Sequence, residues 1–157
     1  MNINFKIKAI QNDFNHLFKL SAEELAANNI QKMIVNEKPG FPCRVSLEDA
    51  EIGEEVLLLP FEYHKTSSPY HASGPIFIRK NAIKANLNMN DIPKMLFQRQ
   101  QTLRAYDTDG MMIHALTPTI NEIKREIQTL FTNPKTSYIQ IHNTHPGCYN
   151  CQVDRFE

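Results

Sequence analysis

Leu103-Arg104-Ala105-Tyr106-Asp107-Thr108-Asp109-Gly110-Met111-Met112-Ile113-His114-Ala115-Leu116 is the stretch that decides the fold class. Two extended runs flank Asp109-Gly110, a pair suited to the positive backbone dihedrals of a two-residue hairpin turn. Such a turn sets Asp107 opposite Met112, Ala105 opposite His114 and Leu103 opposite Leu116, with Arg104, Tyr106, Ile113 and Ala115 on the other face. A helix follows. Thr119 is placed to cap it, Glu122 takes the reciprocal capping position, and Pro118 can staple against Ile123. Ile120, Ile123, Ile127, Leu130 and Phe131 form its apolar stripe, and Asn133-Pro134 stops it. Ile139 and Ile141 then alternate with Tyr138, Gln140 and His142 as a late strand.

Upstream, Ile3, Phe5, Ile7 and Ala9 alternate with Asn4, Lys6 and Lys8, the period of a strand with one wet face. Ser21 and Glu24 spell a capping box, with Leu20 and Leu25 as its staple. Residues 38–46, carrying Pro39, Gly40 and Pro42, read as loop, and residues 55–61 as a buried strand ending at Pro60. Residues 62–74 read as a polar connection, its 63–71 part a candidate lid or a plain exposed loop. Ile76 to Arg79 makes a short strand. Helices and strands do not alternate regularly enough for a doubly wound sheet. The expectation is an α+β single domain over residues 1–157: a mainly antiparallel, mixed sheet with an amphipathic helix of the C-terminal half packed on it.

Composition narrows the function. A chain of 157 residues buries roughly 70% of its unfolded surface, so it needs no staple. Lysine plus arginine and aspartate plus glutamate balance at 17 each, without a basic run, so nucleic acid and anionic membranes are not default partners. No apolar stretch approaches the roughly 20 residues of a membrane span, and residues 1–10 lack a continuous signal-peptide core. Three cysteines, an odd number, argue against a disulfide framework and for a reducing cytoplasm. No phosphate-cradling glycine loop, paired catalytic carboxylates or nucleophile elbow is present, and no cofactor is implied. Met89, Met95 and Met111-Met112 read as core filler.

The chemistry concentrates in few places. Cys148-x-x-Cys151 has a zinc-knuckle spacing, and Cys43, His142 or His145 would have to complete the site. Strong zinc signatures carry two such pairs, and this chain has one. A reactive thiol is the second reading. Cys43 has the cation Arg44 beside it, Cys148 is the other candidate nucleophile, and His142, His145, His114 and His64 are bases by type. Against this, free cysteine is usually a small buried hydrophobe. Third, Arg44, Arg104 and Arg155, with Asp107, could bind a small anionic molecule, because a guanidinium fork fits carboxylate or phosphate. The bland alternative is an internal ion pair of Arg104 or Arg155 with Asp107 or Asp154. Arg104 and Asp107 fall on opposite faces of their strand, whereas Asp107 and His114 lie diagonally on one.

Phe41-Pro42-Cys43-Arg44, Gly53-Glu54-Glu55-Val56-Leu57-Leu58-Leu59, Pro69-Tyr70, Gly74-Pro75-Ile76-Phe77, Leu103-Arg104-Ala105-Tyr106-Asp107 and Gly147-Cys148-Tyr149 together resemble an uncharacterised bacterial family, domain of unknown function 1203, over residues 41–155. The resemblance implies no activity. The family's ending looks like Gly-Cys-aromatic, a spacer, an apolar residue and an arginine two positions on. Gly147-Cys148-Tyr149, Val153 and Arg155 match it, with Cys151 in the spacer, which weakens a metal reading built on both cysteines. Two functions from different classes remain. One is a small-molecule site using Cys43, Arg44, Arg104, His142 and Cys148, and the other is a non-catalytic protein-interaction domain. Structural zinc is a third.

Overall fold

Alternating apolar residues and two helix-capping signals translate into β1 (Phe5–Lys8), α1 (Ala22–Ala27), β2 (Gln31–Ile34), β3 (Glu55–His64), β4 (Ala72–Arg79), β5 (Gln101–Tyr106), β6 (Met112–Leu116), α2 (Ile123–Phe131), β7 (Tyr138–Asn143) and β8 (Tyr149–Arg155). The computed structural model describes residues 3–157; the part of the 1–10 reading that falls on Met1 and Asn2 lies outside the described residues. The fold is α+β, with mainly antiparallel pairing and α2 packed on a sheet, as the pattern predicts; the named strands all pair antiparallel, and one isolated bridge, Cys43 with Phe77, is parallel. The sheet is two sheets, one of five strands in the order β1-β8-β7-β5-β6 and one of three in the order β2-β3-β4.

Register sorts the side chains of the larger sheet. Leu103 pairs with Ile141 and Ala105 with Ile139, while Ile139 pairs with Val153 and Val153 with Ile7. This apolar face packs with Ile123, Ile127 and Phe131 of α2 in one buried cluster. Burying each such side chain contributes roughly 1.5–3 kcal/mol, so propensity matters little beside packing. The opposite face carries Arg104, Tyr106, Tyr138, Gln140 and His142, and it is covered by β3 of the smaller sheet.

Asn150 makes one further sorting step. Ile141 faces Cys151 but His142 faces Tyr149, so Asn150 is the extra residue of a β-bulge. Tyr149 and Cys151 would otherwise share a face. The bulge sends the Cys151 side chain into the apolar core with α2 and turns Tyr149 toward β3.

Four expectations are corrected. The hairpin keeps Leu103 opposite Leu116 and Ala105 opposite His114, but Tyr106, not Asp107, faces Met112. The Asp107 carboxylate accepts from the Asp109 and Met111 amides at 2.9 and 3.0 Å, and Gly110 N–H donates to the Asp107 carbonyl. That closes a three-residue loop with Gly110 in the left-handed region, φ +75°. Thr119 makes no capping hydrogen bond, because one 3-10 turn, Ile120–Glu122, intervenes before α2 and leaves Ile120 exposed. At Ser21, both bonds of the capping box do form. β3 runs through Pro60 to His64. Pro60 pairs with Pro75, a couple with no N–H to give, and β2 reaches only to Leu58, so no ladder bond is lost. The connection is therefore only residues 65–71. Finally, Met95 is buried but Met89 and Met111 are exposed.

Candidate functional site: the polar layer between the sheets

A sheet face of tyrosine, glutamine, histidine and arginine normally points to water. Here β3 lies across it and Gln140 and His142 are fully buried, so every polar atom needs a protein partner. The Gln140 amide donates to the Tyr63 carbonyl at 3.1 Å. Tyr63 stacks on Tyr149 with ring centroids 5.2 Å apart, and His64 sits over Tyr106 at 4.2 Å. The sheets are thus joined by an aromatic and amide layer rather than an aliphatic one.

At one end the layer opens into a cavity of about 530 Å³, walled by Tyr63, His64, Lys65, Thr66, Tyr138 and Gln152 among others. His64 Nδ1 lies 2.8 Å from the Tyr70 carbonyl, an acceptor only, so that nitrogen carries the proton. Nε2 is then the acceptor for the Tyr138 hydroxyl, 2.5 Å away. The Tyr70 carbonyl sets the tautomer, the kind of hydrogen bond that fixes acid–base histidines generally. Burial, with Tyr106 and Asp107 nearby, raises the Tyr138 pKa, so the phenol stays protonated at neutral pH. Residues 65–71 are fixed against the hairpin turn rather than hanging as a lid. Ser68 donates to the Gly110 carbonyl at 2.7 Å and Thr66 to the Asp109 carbonyl at 3.3 Å.

In the middle sits His142. Its Nδ1 faces the Gly147 carbonyl at 3.0 Å and its Nε2 faces Gln140 Oε1 at 3.1 Å. Both are acceptors, so only an imidazolium would satisfy both. Burial, helped by the Arg104 guanidinium and more weakly by His64 and Arg44, nevertheless pushes its pKa down to about 4. The neutral ring therefore keeps one unmatched contact, which rotating the Gln140 amide would only transfer to Tyr63.

At the far end Arg44 is buried, 2% exposed. Its Nε donates to the Tyr149 carbonyl at 2.7 Å and Nη1 donates to the Pro42 carbonyl. Among the described residues no carboxylate forms an ion pair with it. Burial pushes its pKa down to about 10, which leaves it charged at neutral pH. The strongest opposing influence is Cys148, with Cys43 and Cys151 behind it, while neighbouring Arg99 adds repulsion. Arg99 is itself paired with Asp49.

The structure thus brings Arg44, Arg104, His142 and Cys148 to one layer. Cys43 flanks it, fully buried, and its sulfur accepts from the Ser46 and Arg79 amides at 3.5 and 3.4 Å, tying residues 41–50 to β4. Burial pushes the Cys151 thiol up to about 12. Asp107 is occupied in the hairpin turn. Arg155 donates to the Thr136 and Asn133 carbonyls beyond α2 and lies over the Phe131 ring, away from the layer. His145 and His114 are exposed. Among the described residues no three His, Cys, Asp or Glu side chains are placed to hold a metal ion. Sequence reasoning missed Tyr138, Tyr63, Tyr106 and Tyr149. Their signal was present, since Tyr138, Gln140 and His142 share one face of a strand whose other face carries Ile139 and Ile141.

Residues 40–155 match the model of the family described as "Protein of unknown function (DUF1203)", and the chain belongs to that family. No curated protein matches the chain, and no solved structure does. No helix among the described residues is long and apolar enough to cross a membrane.

Proposed function

We propose that this member of the family binds a small polar molecule in the cavity at the open end of the interlayer, and that Tyr138 and His64 act on it as a proton relay. The observation that carries the reading is the 2.5 Å contact of Tyr138 Oη with His64 Nε2, its tautomer held by the Tyr70 carbonyl, at a cavity wall. A ligand O–H or N–H that donates to the Tyr138 oxygen can pass its proton there while the phenol proton moves to His64 Nε2. The anion left behind is then stabilised by the cations nearby. Geometry and a fixed tautomer are the first requirements of acid–base chemistry. Lys65 in the wall supports an anionic group on the ligand, and the balanced net charge supports a small molecule over nucleic acid. Three free thiols support a cytoplasmic, reducing setting.

A second reading has its own observation. Cys148 is the half-buried neighbour of a buried cation that forms no ion pair among the described residues, which supports a reactive thiol there.

The test is a fragment screen by NMR on isotope-labelled protein, using small hydroxy and amino acids. Binding that shifts the Tyr138 and His64 side-chain resonances and weakens at least about tenfold in Tyr138→Phe supports the relay. The same affinity in Tyr138→Phe, or no shift at either side chain with any millimolar fragment, overturns it.

A further inference from the structure

A larger cavity lies elsewhere, between residues 38–49 and the segment leading into the 3-10 turn Lys94–Gln98. It measures about 910 Å³, within the roughly 300–1,000 Å³ of small-molecule sites. Its wall is apolar, with Leu47, Ala85, Leu87 and Met95 contributed by the core that also holds α2. Ile83 stands at the rim, 84% exposed, an apolar side chain with no packing reason to be there.

Charge at the mouth selects the occupant. Asp49 is taken up by Arg99, Lys38 by Glu51, and Glu48 leans toward Arg79 at 4.0 Å. Lys84 and Lys94, both exposed, form no ion pair among the described residues. An apolar wall beneath two unpaired ammonium groups matches a molecule with a hydrocarbon body and one anionic end. We propose that this cavity binds a small amphiphilic carboxylate, its chain along Leu47, Leu87 and Met95 and its carboxylate between Lys84 and Lys94. The apolar contact supplies most of the affinity, and the lysines fix polarity and orientation, because exposed charges contribute little each.

The probes are decanoate, 1-decanol and decyltrimethylammonium, titrated into the full chain and followed by backbone and methyl NMR shifts. The expected result is decanoate binding with the largest shifts at Leu47, Ala85, Leu87 and Met95. Binding should be at least about fivefold weaker for the alcohol and for Lys84→Glu/Lys94→Glu, and weaker still for the cation. Ala85→Trp, which fills the half-exposed side of the cavity, should abolish binding while the remaining shifts report an intact fold. Equal affinity for all three probes, shifts centred elsewhere, or no decanoate binding below its micelle concentration would each overturn the proposal. None of these outcomes involves Tyr138 or His64, so this site and the relay fail independently.

Discussion

His142 should make the fold acid-labile by an amount that can be worked out. Its ring is fully buried and its pKa is pushed from 6.5 down to about 4 by burial and the Arg104 guanidinium. In the unfolded chain the same ring takes a proton near pH 6.5. Between those values the unfolded state binds more protons, so stability falls as pH falls through the window and is fully present above it. Each tenfold in proton affinity is worth about 1.4 kcal/mol, which makes the whole effect about 3 kcal/mol, with about 2 of it lost by pH 5. That pH matters because most carboxylates are still ionised there; Glu54, held low by Arg79, adds its own loss only further down. The assay is urea unfolding by circular dichroism at pH 7.5 and pH 5, for the native chain and His142→Gln. The variant is expected to be less stable at pH 7.5, and the gap to shrink by about 2 kcal/mol at pH 5. An unchanged gap, or an NMR titration placing the ring near 6.5, would refute the reasoning. It would mean that the two acceptors at Gly147 and Gln140 outweigh burial.

Three other outcomes are expected. A thiol reagent should label one cysteine per native chain, Cys148, with Cys43 and Cys151 reacting only on unfolding. Peptide mapping checks this, and Arg44→Met should slow the first reaction severalfold if the guanidinium activates that sulfur. Gly110→Ala should cost well over about 1 kcal/mol, because φ is +75° and a Cβ would meet Thr66 Oγ1 at 2.1 Å. Gly53→Ala, at φ +94° with nothing within 4 Å, should cost only the backbone share, about 1 kcal/mol, so comparable losses in urea unfolding would contradict the tight hairpin–loop contact. Ser21→Ala should lower stability by about 1 kcal/mol while Thr119→Ala leaves it nearly unchanged, since only the first makes a capping bond. Equal effects would contradict that difference.

The pairing of Leu103 with Leu116 and the stripe of α2 were legible because both rest on local periodicity. The features that build the site were not, because they depend on single residues and on what lies across the sheet. Asp109-Gly110 is a strong turn signal, yet the Asp107 carboxylate, by holding two amides, selects the longer loop. Asn150 is one extra residue in β8, and no pattern in the strand marks it as a bulge. Without it Tyr149 could not reach Tyr63. Tyr138, Gln140 and His142 read as a wet face because polar residues usually are; only β3, more than seventy residues upstream, makes that face an interior.

Arg44 shows the limit most clearly. Beside Cys43 in sequence, it suggests a cation activating its neighbour. Arg44 opens a turn just after the Cys43 bridge to β4, so Cys43 faces the backbone of β4 while Arg44 donates to the Tyr149 carbonyl. Of the thiols that act on this cation the strongest is Cys148, 104 positions along the chain, with Cys43 behind it. A buried guanidinium is expensive unless its charge is answered, and two carbonyls answer it with dipoles rather than with an anion. Those two bonds also have a structural effect, since they tie the backbone at Pro42 to β8 at Tyr149 across the layer. Gly147 and Cys148, in the β7–β8 turn, are only half-buried beside that fully buried cation.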